Sequence, residues 1–204
     1  MRVAIVDYGM GNLQSVRNAF EVLGCSVVIA RQPADLEAAD RIVLPGVGAF
    51  GDAMTILRTG GWTAALDHEV REKRKPFIGL CLGMQLLASE GTEHGAQPGL
   101  AWIPGVVTAL RPGPDVRVPH IGWNDVAPTR ETAMYTGLTG ADSFYFLHSY
   151  VFHPNDPRVI NARCSYGENF PASLECGNIW ATQYHPEKSQ KAGLRVLANF
   201  AALS

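Results

Sequence analysis

The sequence has no CxxC pair, no extended run of Lys or Arg and no window of about 18 uninterrupted apolar residues, and each absence removes a class of protein. Its four cysteines, Cys25, Cys81, Cys164 and Cys176, stand apart, so neither a disulfide framework nor a zinc ribbon is encoded and all four read as reduced thiols. With 17 basic and 19 acidic residues and a formal charge of −2, the chain carries no electrostatic footprint for nucleic acid or anionic lipid. Asp7 interrupts the N-terminal apolar stretch before a signal-peptide core could form, which points to a cytoplasmic protein. Internal repeats and low-complexity tracts are also missing. No linker is long enough to divide residues 1–204, which read as a single domain, and Pro112-Gly-Pro114 reads as a turn. What is present is a 47% hydrophobic composition, enough to bury a full core.

Through the first half, short β-branched apolar runs alternate with helical patterns, the signature of parallel strands joined by crossover helices. Residues 3–6, 26–30, 41–44 and 76–80 are predicted strands. Residues 13–23 place apolar side chains at 13, 16, 19, 20 and 23 on one helical face, and Gly24 stops them. One or two helices, broken at Gly60-Gly61, are expected over 51–74, and another over 82–89 directly after the fourth strand. Beyond residue 91 proline and glycine become frequent, and short, partly antiparallel strands are expected before a final amphipathic helix over 188–203. The fold class is α/β, with an open, mostly parallel sheet flanked by helices.

Gly79-Leu-Cys81-Leu-Gly83 falls where a buried strand meets a helix and has the spacing of a nucleophile elbow. A side chain two residues to either side of so sharp a turn would collide with the strand or the helix, which accounts for the glycines. Cys81 is a candidate nucleophile; a buried thiol used only for packing fits the same residues. Of six histidines, His185 ends an apolar run and is followed by Pro186 and Glu187. In an extended chain, residues 185 and 187 point to the same side. Glu187 could then orient the imidazole while its other nitrogen takes the Cys81 proton. The H-x-E spacing also fits a zinc deaminase, but no P-C-x-x-C follows. Gly46-Val-Gly48-Ala-Phe-Gly51, with Asp67 beyond it, matches a dinucleotide fingerprint; the same glycines could instead expose backbone amides to an oxyanion.

In order and spacing, PGVG, GLCLGMQLL and QYHPEKS resemble the class I, triad-type glutamine amidotransferases along nearly the whole chain. VDYGMGN, LPGVGAF, PHIGWN at 119–124, FYFLHSY at 144–150 and HPEKS resemble the branch of that family that serves imidazole glycerol phosphate synthesis in the histidine pathway. The resemblance implies a glutaminase with Cys81, His185 and Glu187 as its triad and no metal or organic cofactor. It further implies an oxyanion hole from Leu82 and the Val47–Gly48 segment. Glutamine would be held by Gly48, Gln85, Glu93, Ser149 and Tyr150, with Glu90 as the alternative to Glu93. Ammonia would pass to a separate (β/α)₈ cyclase subunit, a barrel too large for this chain to contain. Asn12, Trp123, Tyr145 and Lys188 match positions near that partner, and each could equally be a local cap, a core aromatic or a surface cation.

Overall fold

Val3 and Ile5 point into one apolar layer and Ala4 and Val6 into another, so the first strand is covered on both faces, as a parallel sheet requires. The structure is a computed structural model that describes every residue except 112, 114, 115, 140, 141 and 204. The Pro112-Gly-Pro114 turn therefore lies outside the described residues. In chain order the elements are β1 (Arg2–Val6), α1 (Leu13–Val22), β2 (Ser26–Ala30), β3 (Arg41–Gly46), α2 (Phe50–Thr59), α3 (Trp62–Leu66), β4 (Phe77–Cys81) and α4 (Leu82–Gln85). There follow β5 (Glu90–Gly91), β6 (Gln97–Pro98), β7 (Gly105–Ala109), β8 (His120–Asp125), β9 (Ala127–Pro128), β10 (Ser143–His148) and β11 (Tyr150–Pro154). The chain then forms β12 (Ile160–Tyr166), β13 (Glu168–Cys176), β14 (Ile179–Thr182) and α5 (Gln190–Ala201).

The main sheet runs β2-β1-β3-β4-β14-β13-β12-β9. Its first five strands are parallel, and the remaining three add antiparallel pairings. Val16, Phe20, Val196 and Phe200 of α1 and α5 join Ile5, Val43, Ile78 and Trp180 on one face. Phe50, Met54, Leu57 and Trp62 of α2 and α3 cover the other with Val6, Leu44 and Phe77. Burying a side chain of this size contributes on the order of 1.5–3 kcal/mol, so the two layers hold β4 and β14 rigidly at the centre. Two smaller sheets, β10-β8 and β11-β7-β5-β6, stand beside the carboxyl ends of those strands. Among the described residues no helix is long and apolar enough to cross a membrane.

Two predicted helices differ from what forms. The 82–89 helix is a single turn, α4, because the carbonyls of Leu86, Leu87 and Ala88 accept hydrogen bonds from Leu100, Trp102 and Ala101 instead of continuing an i to i+4 ladder. The 188–203 helix starts at Gln190; Pro186–Lys188 is a separate 3₁₀ turn. Ser189 lies between them at φ −101°, ψ 29°, and its hydroxyl donates to the His185 carbonyl at 2.6 Å. The break at Gly60-Gly61 forms as expected, with Gly61 left-handed at φ 74°.

Candidate active site

Cys81 ends β4 in a left-handed conformation, φ 54° and ψ −107°, a region that costs a non-glycine residue about 1–3 kcal/mol. Its flanking glycines interlock. A Cβ on Gly79 would lie 2.5 Å from the Gly83 carbonyl oxygen, and one on Gly83 would run into the Leu44 carbonyl of β3. The elbow can therefore close only with glycine on both sides, and it carries the Cys81 thiol into a pocket of about 290 Å³ at the carboxyl end of the sheet. In open α/β sheets this is where ligands bind.

Across the β4–β14 pairing, in which Leu80 faces Thr182, the chain leads to His185. Its Nδ1 lies 2.8 Å from Glu187 Oε1, and both side chains are buried. Strand alternation is not what brings them together, since His185 opens the 3₁₀ turn and that turn carries Glu187 back to the ring. Burial pulls the imidazole toward its neutral form, but the charge of the Cys81 sulfur and the Glu187 carboxylate outweigh it and push its pKa up to about 10. Nε2 is buried without a hydrogen-bond partner, and Cys81 Sγ lies 3.6 Å from the Leu147 carbonyl. Catalytic hydrogen bonds often tighten only when substrate arrives.

Val47, Gly48, Leu82, Gln85, Glu93, Ser149 and Tyr150 all line the Cys81 pocket. Gly48 is at φ 111°, a conformation for which glycine is the default. Gln85 Nε2 donates to the Tyr150 carbonyl at 2.9 Å, so two of the predicted binding residues brace one another. Glu93 reaches the pocket and accepts a hydrogen bond from the Phe50 amide at 2.8 Å. Glu90 is exposed on β5 and does not line it. The same contact disposes of the dinucleotide reading, because a pyrophosphate at the start of α2 would meet the Glu93 carboxylate already on its amide. Asp67 is likewise occupied, accepting from the Trp102 indole at 2.8 Å.

The four positions matched to a partner surface divide. Asn12 is a helix cap, its Oδ1 accepting from the Ser15 amide at 3.3 Å. Trp123 and Tyr145 face each other across β8 and β10, with ring centroids 6.1 Å apart, and Lys188 Nζ lies 5.7 Å over the Tyr145 ring. The His185 amide donates to the Tyr145 carbonyl at 2.9 Å, so these three residues border His185. Trp123 is half exposed, with Val118, Ile121 and Leu147 also exposed.

Sequence reasoning missed three residues at the site. His148 lines the pocket, Leu147 offers its carbonyl to the thiol, and Gln183, fully buried, places Nε2 3.7 Å from Cys81 Sγ. A signal existed for Gln183: it is the one amide side chain in an otherwise apolar run entering the His185 loop.

The family described as "Glutamine amidotransferase class-I" matches residues 4–203. A Moorella thermoacetica protein named imidazole glycerol phosphate synthase subunit HisH is 45% identical over 98% of this chain and 94% of its own length. A protein of the same name from Aquifex aeolicus is 46% identical over 98% of this chain and 96% of its own length. Among solved structures, one described as a glutamine amidotransferase superposes with a TM-score of 0.76 at 22% identity, covering 98% of this chain and 99% of that one. The PurLQS structure from Thermotoga maritima superposes at 0.75 and 17% identity, covering 98% and 97%. At these identities the superpositions speak to the fold alone.

Proposed function

Since the chain belongs to the class I glutamine amidotransferases, in the branch of the HisH subunits of imidazole glycerol phosphate synthase, we propose that Cys81, His185 and Glu187 are the residues with which it hydrolyses glutamine. The observation that carries this is the elbow that ends β4 at Cys81 and, just past the end of the neighbouring parallel strand β14, a buried His185–Glu187 pair at 2.8 Å. The Cys81 sulfur attacks the γ-carboxamide carbon, a C–S bond forms, and the carbonyl π pair moves onto oxygen. Amides of Leu82 and of the Val47–Gly48 segment receive that oxyanion. As the C–N bond breaks, imidazolium at His185 gives its proton to the departing nitrogen, which leaves as ammonia. Water, deprotonated by His185, then opens the thioester to glutamate and returns the sulfur. Glu187 holds the ring and balances its charge. Every step is met by side chains and amides of this chain, with no metal or organic cofactor.

Gln85, Glu93 and the Ser149–Tyr150 backbone bind the amino-acid part of the substrate, Glu93 facing its ammonium. Residues 1–204 act as one glutaminase domain in the cytoplasm. The ammonia goes to a (β/α)₈ cyclase subunit, which uses it on a phosphoribosyl-formimino carboxamide ribotide to make imidazole glycerol phosphate and an aminoimidazole carboxamide ribotide. The exposed Trp123, Ile121 and Val118 beside Tyr145 and Lys188 support a docking face at that position, since clustered exposed apolar side chains mark interaction sites. Asn12 lies at the start of α1, which packs on the Pro186–Lys188 turn, and is assigned to the edge of this face. Glutamine hydrolysis is to be measured for the chain alone, with the cyclase subunit, and with the subunit plus ribotide. The expected result is a steep rise across the three. Equal rates from a verified complex would remove the coupling, and undiminished hydrolysis by a folded Cys81→Ala protein would remove the mechanism.

A further inference from the structure

Gln183 is the fully buried amide between β14 and the His185 loop. Its backbone amide donates to the Ala172 carbonyl at 2.8 Å, which locks the residue to β13. The register that pairs Leu80 with Thr182 brings the residues that follow, Cys81 at the end of β4 and Gln183 just past β14, side by side. The side chain is fixed at both ends. Gln183 Oε1 accepts from Gln85 Nε2 at 3.0 Å, and Gln85 Nε2 also donates to the Tyr150 carbonyl. Because Gln85 presents a donor to Gln183, the Gln183 amide must turn its oxygen to Gln85 and its N–H to the sulfur. That N–H lies 3.7 Å from Cys81 Sγ.

We propose that Gln183 is a further catalytic residue of the glutaminase, donating a hydrogen bond that stabilises the Cys81 thiolate and ties it to the substrate-binding Gln85. The inference rests on the reading of Cys81 as nucleophile, and the geometry gives it a chemical direction. A thiol sulfur is a weak acceptor, whereas bonds to an ionised acceptor are about twice as strong as neutral ones. The Gln183 donor therefore favours the deprotonated sulfur over the thiol, while the Leu147 carbonyl at 3.6 Å favours the thiol. With the proton on His185, the sulfur exchanges the carbonyl for the amide. The same donor serves twice in the cycle: it stabilises the sulfur before it attacks glutamine, and again when the thioester C–S bond breaks and the electron pair returns to sulfur. Through the shared Gln85 amide, a change in the substrate pocket alters the strength of the donor at the nucleophile.

The test reads the sulfur directly. Gln183→Met keeps the volume and removes the donor. In the full chain, alkylation of Cys81 by iodoacetamide at neutral pH should slow roughly tenfold, and its pH profile should move to higher pH. With the cyclase subunit and ribotide present, kcat for glutamine should fall while KM changes little. A folded Gln183→Met protein with wild-type alkylation rate and pH profile would overturn the inference, and the triad reading would still stand or fall separately on Cys81→Ala. Since a buried substitution can compromise folding, a second measurement leaves Gln183 in place. The side-chain amide resonance of Gln183 should shift when Cys81 of the native protein is alkylated, and an unmoved resonance would count against the bond.

Discussion

His120 and His148 are joined by one hydrogen bond, Nδ1 to Nε2 at 3.0 Å, whose direction follows from what surrounds it. His148 Nδ1 lies 2.9 Å from the Tyr150 carbonyl, which can only accept, so Nδ1 carries the proton and Nε2 of a neutral ring is bare. His120 must then donate through Nδ1, leaving its Nε2 to accept from the Asn124 amide at 3.4 Å. The His120 ring is stacked between Tyr166 and Phe146, 3.8 and 4.7 Å away. A second proton on either ring would break this sequence of donors.

Burial pulls His120 down to about 4 and, with His120 and His185 as like-charged neighbours, His148 down to about 3. The native rings therefore stay neutral at pH values where an unfolded histidine, near 6.5, takes up a proton. Their contribution to stability is complete above pH 6.5 and is lost as pH falls from 6.5 toward 4 and 3. Each proton bound only by the unfolded chain adds a slope of about 1.4 kcal/mol per pH unit. Urea midpoints between pH 7 and 4.5 should fall less steeply for His120→Phe than for wild type, although the variant is less stable at pH 7 because His148 Nε2 loses its donor. Parallel curves would show that the pair does not titrate on unfolding.

The state of His185 makes a second prediction. Held up at about 10 by Cys81 and Glu187, it should remain an imidazolium through pH 8 in ¹⁵N histidine spectra. Its proton is then the one that departs with ammonia. Cys81→Ala removes the largest raising contribution and should lower the pH at which that signal changes. Cys81→Ala and His185→Ala should each cost at least about a thousandfold in glutamine hydrolysis, and Glu187→Gln less than Glu187→Ala, because the amide still orients the ring. Equal losses for the two Glu187 variants would mean that charge, not orientation, is what Glu187 supplies.

Gly48 offers a third. Its φ of 111° and the position of Met10, whose Cε would lie 2.6 Å from an added Cβ, make alanine strained there. If the Val47–Gly48 peptide turns an amide toward the oxyanion when the partner binds ribotide, Gly48→Ala should depress the stimulated rate more than the basal one. Loss of one oxyanion donor costs about 10² to 10³ in rate. Proportional losses in both states would show that the segment does not switch.

Gly83→Ala should be the more severe of the two elbow substitutions. Its Cβ runs into the Leu44 carbonyl of β3, a closer approach to backbone than a Cβ on Gly79 makes to the Gly83 carbonyl. Overpacking of this kind costs typically about 1–3 kcal/mol, so a lowered melting temperature and weakened alkylation of Cys81 are expected together. A Gly83→Ala protein as stable as wild type would show that the elbow can open without loss.

The elbow was legible in the sequence because it is local: five consecutive residues, Gly79 to Gly83, contain both the strained position and the two glycines that permit it. His185 and Glu187 were legible by their spacing, although a 3₁₀ turn, not an extended strand, joins them. The alternation of β1 to β4 with α1 to α3 was readable for the same reason, as each element buries its own apolar face. What could not be read depends on contacts between distant segments. The 82–89 helix stops early because residues 100–102 capture its carbonyls. Glu93 enters the pocket and Glu90 does not because only the former reaches the start of α2. Gln183 meets Cys81 only through the β4–β14 register.

That register also sets a sequence of events in time. The nucleophile and the amide beside it are 102 positions apart, and β14 enters the sheet between β4 and β13, two strands made before it. In a growing chain the Cys81 thiol is therefore made long before His185. Pairing across so large a separation is slow compared with local folding. On the proposed triad, a chain whose β14 has not inserted carries the elbow without the residues that complete it, so the sheet ties glutamine hydrolysis to the last steps of its own assembly.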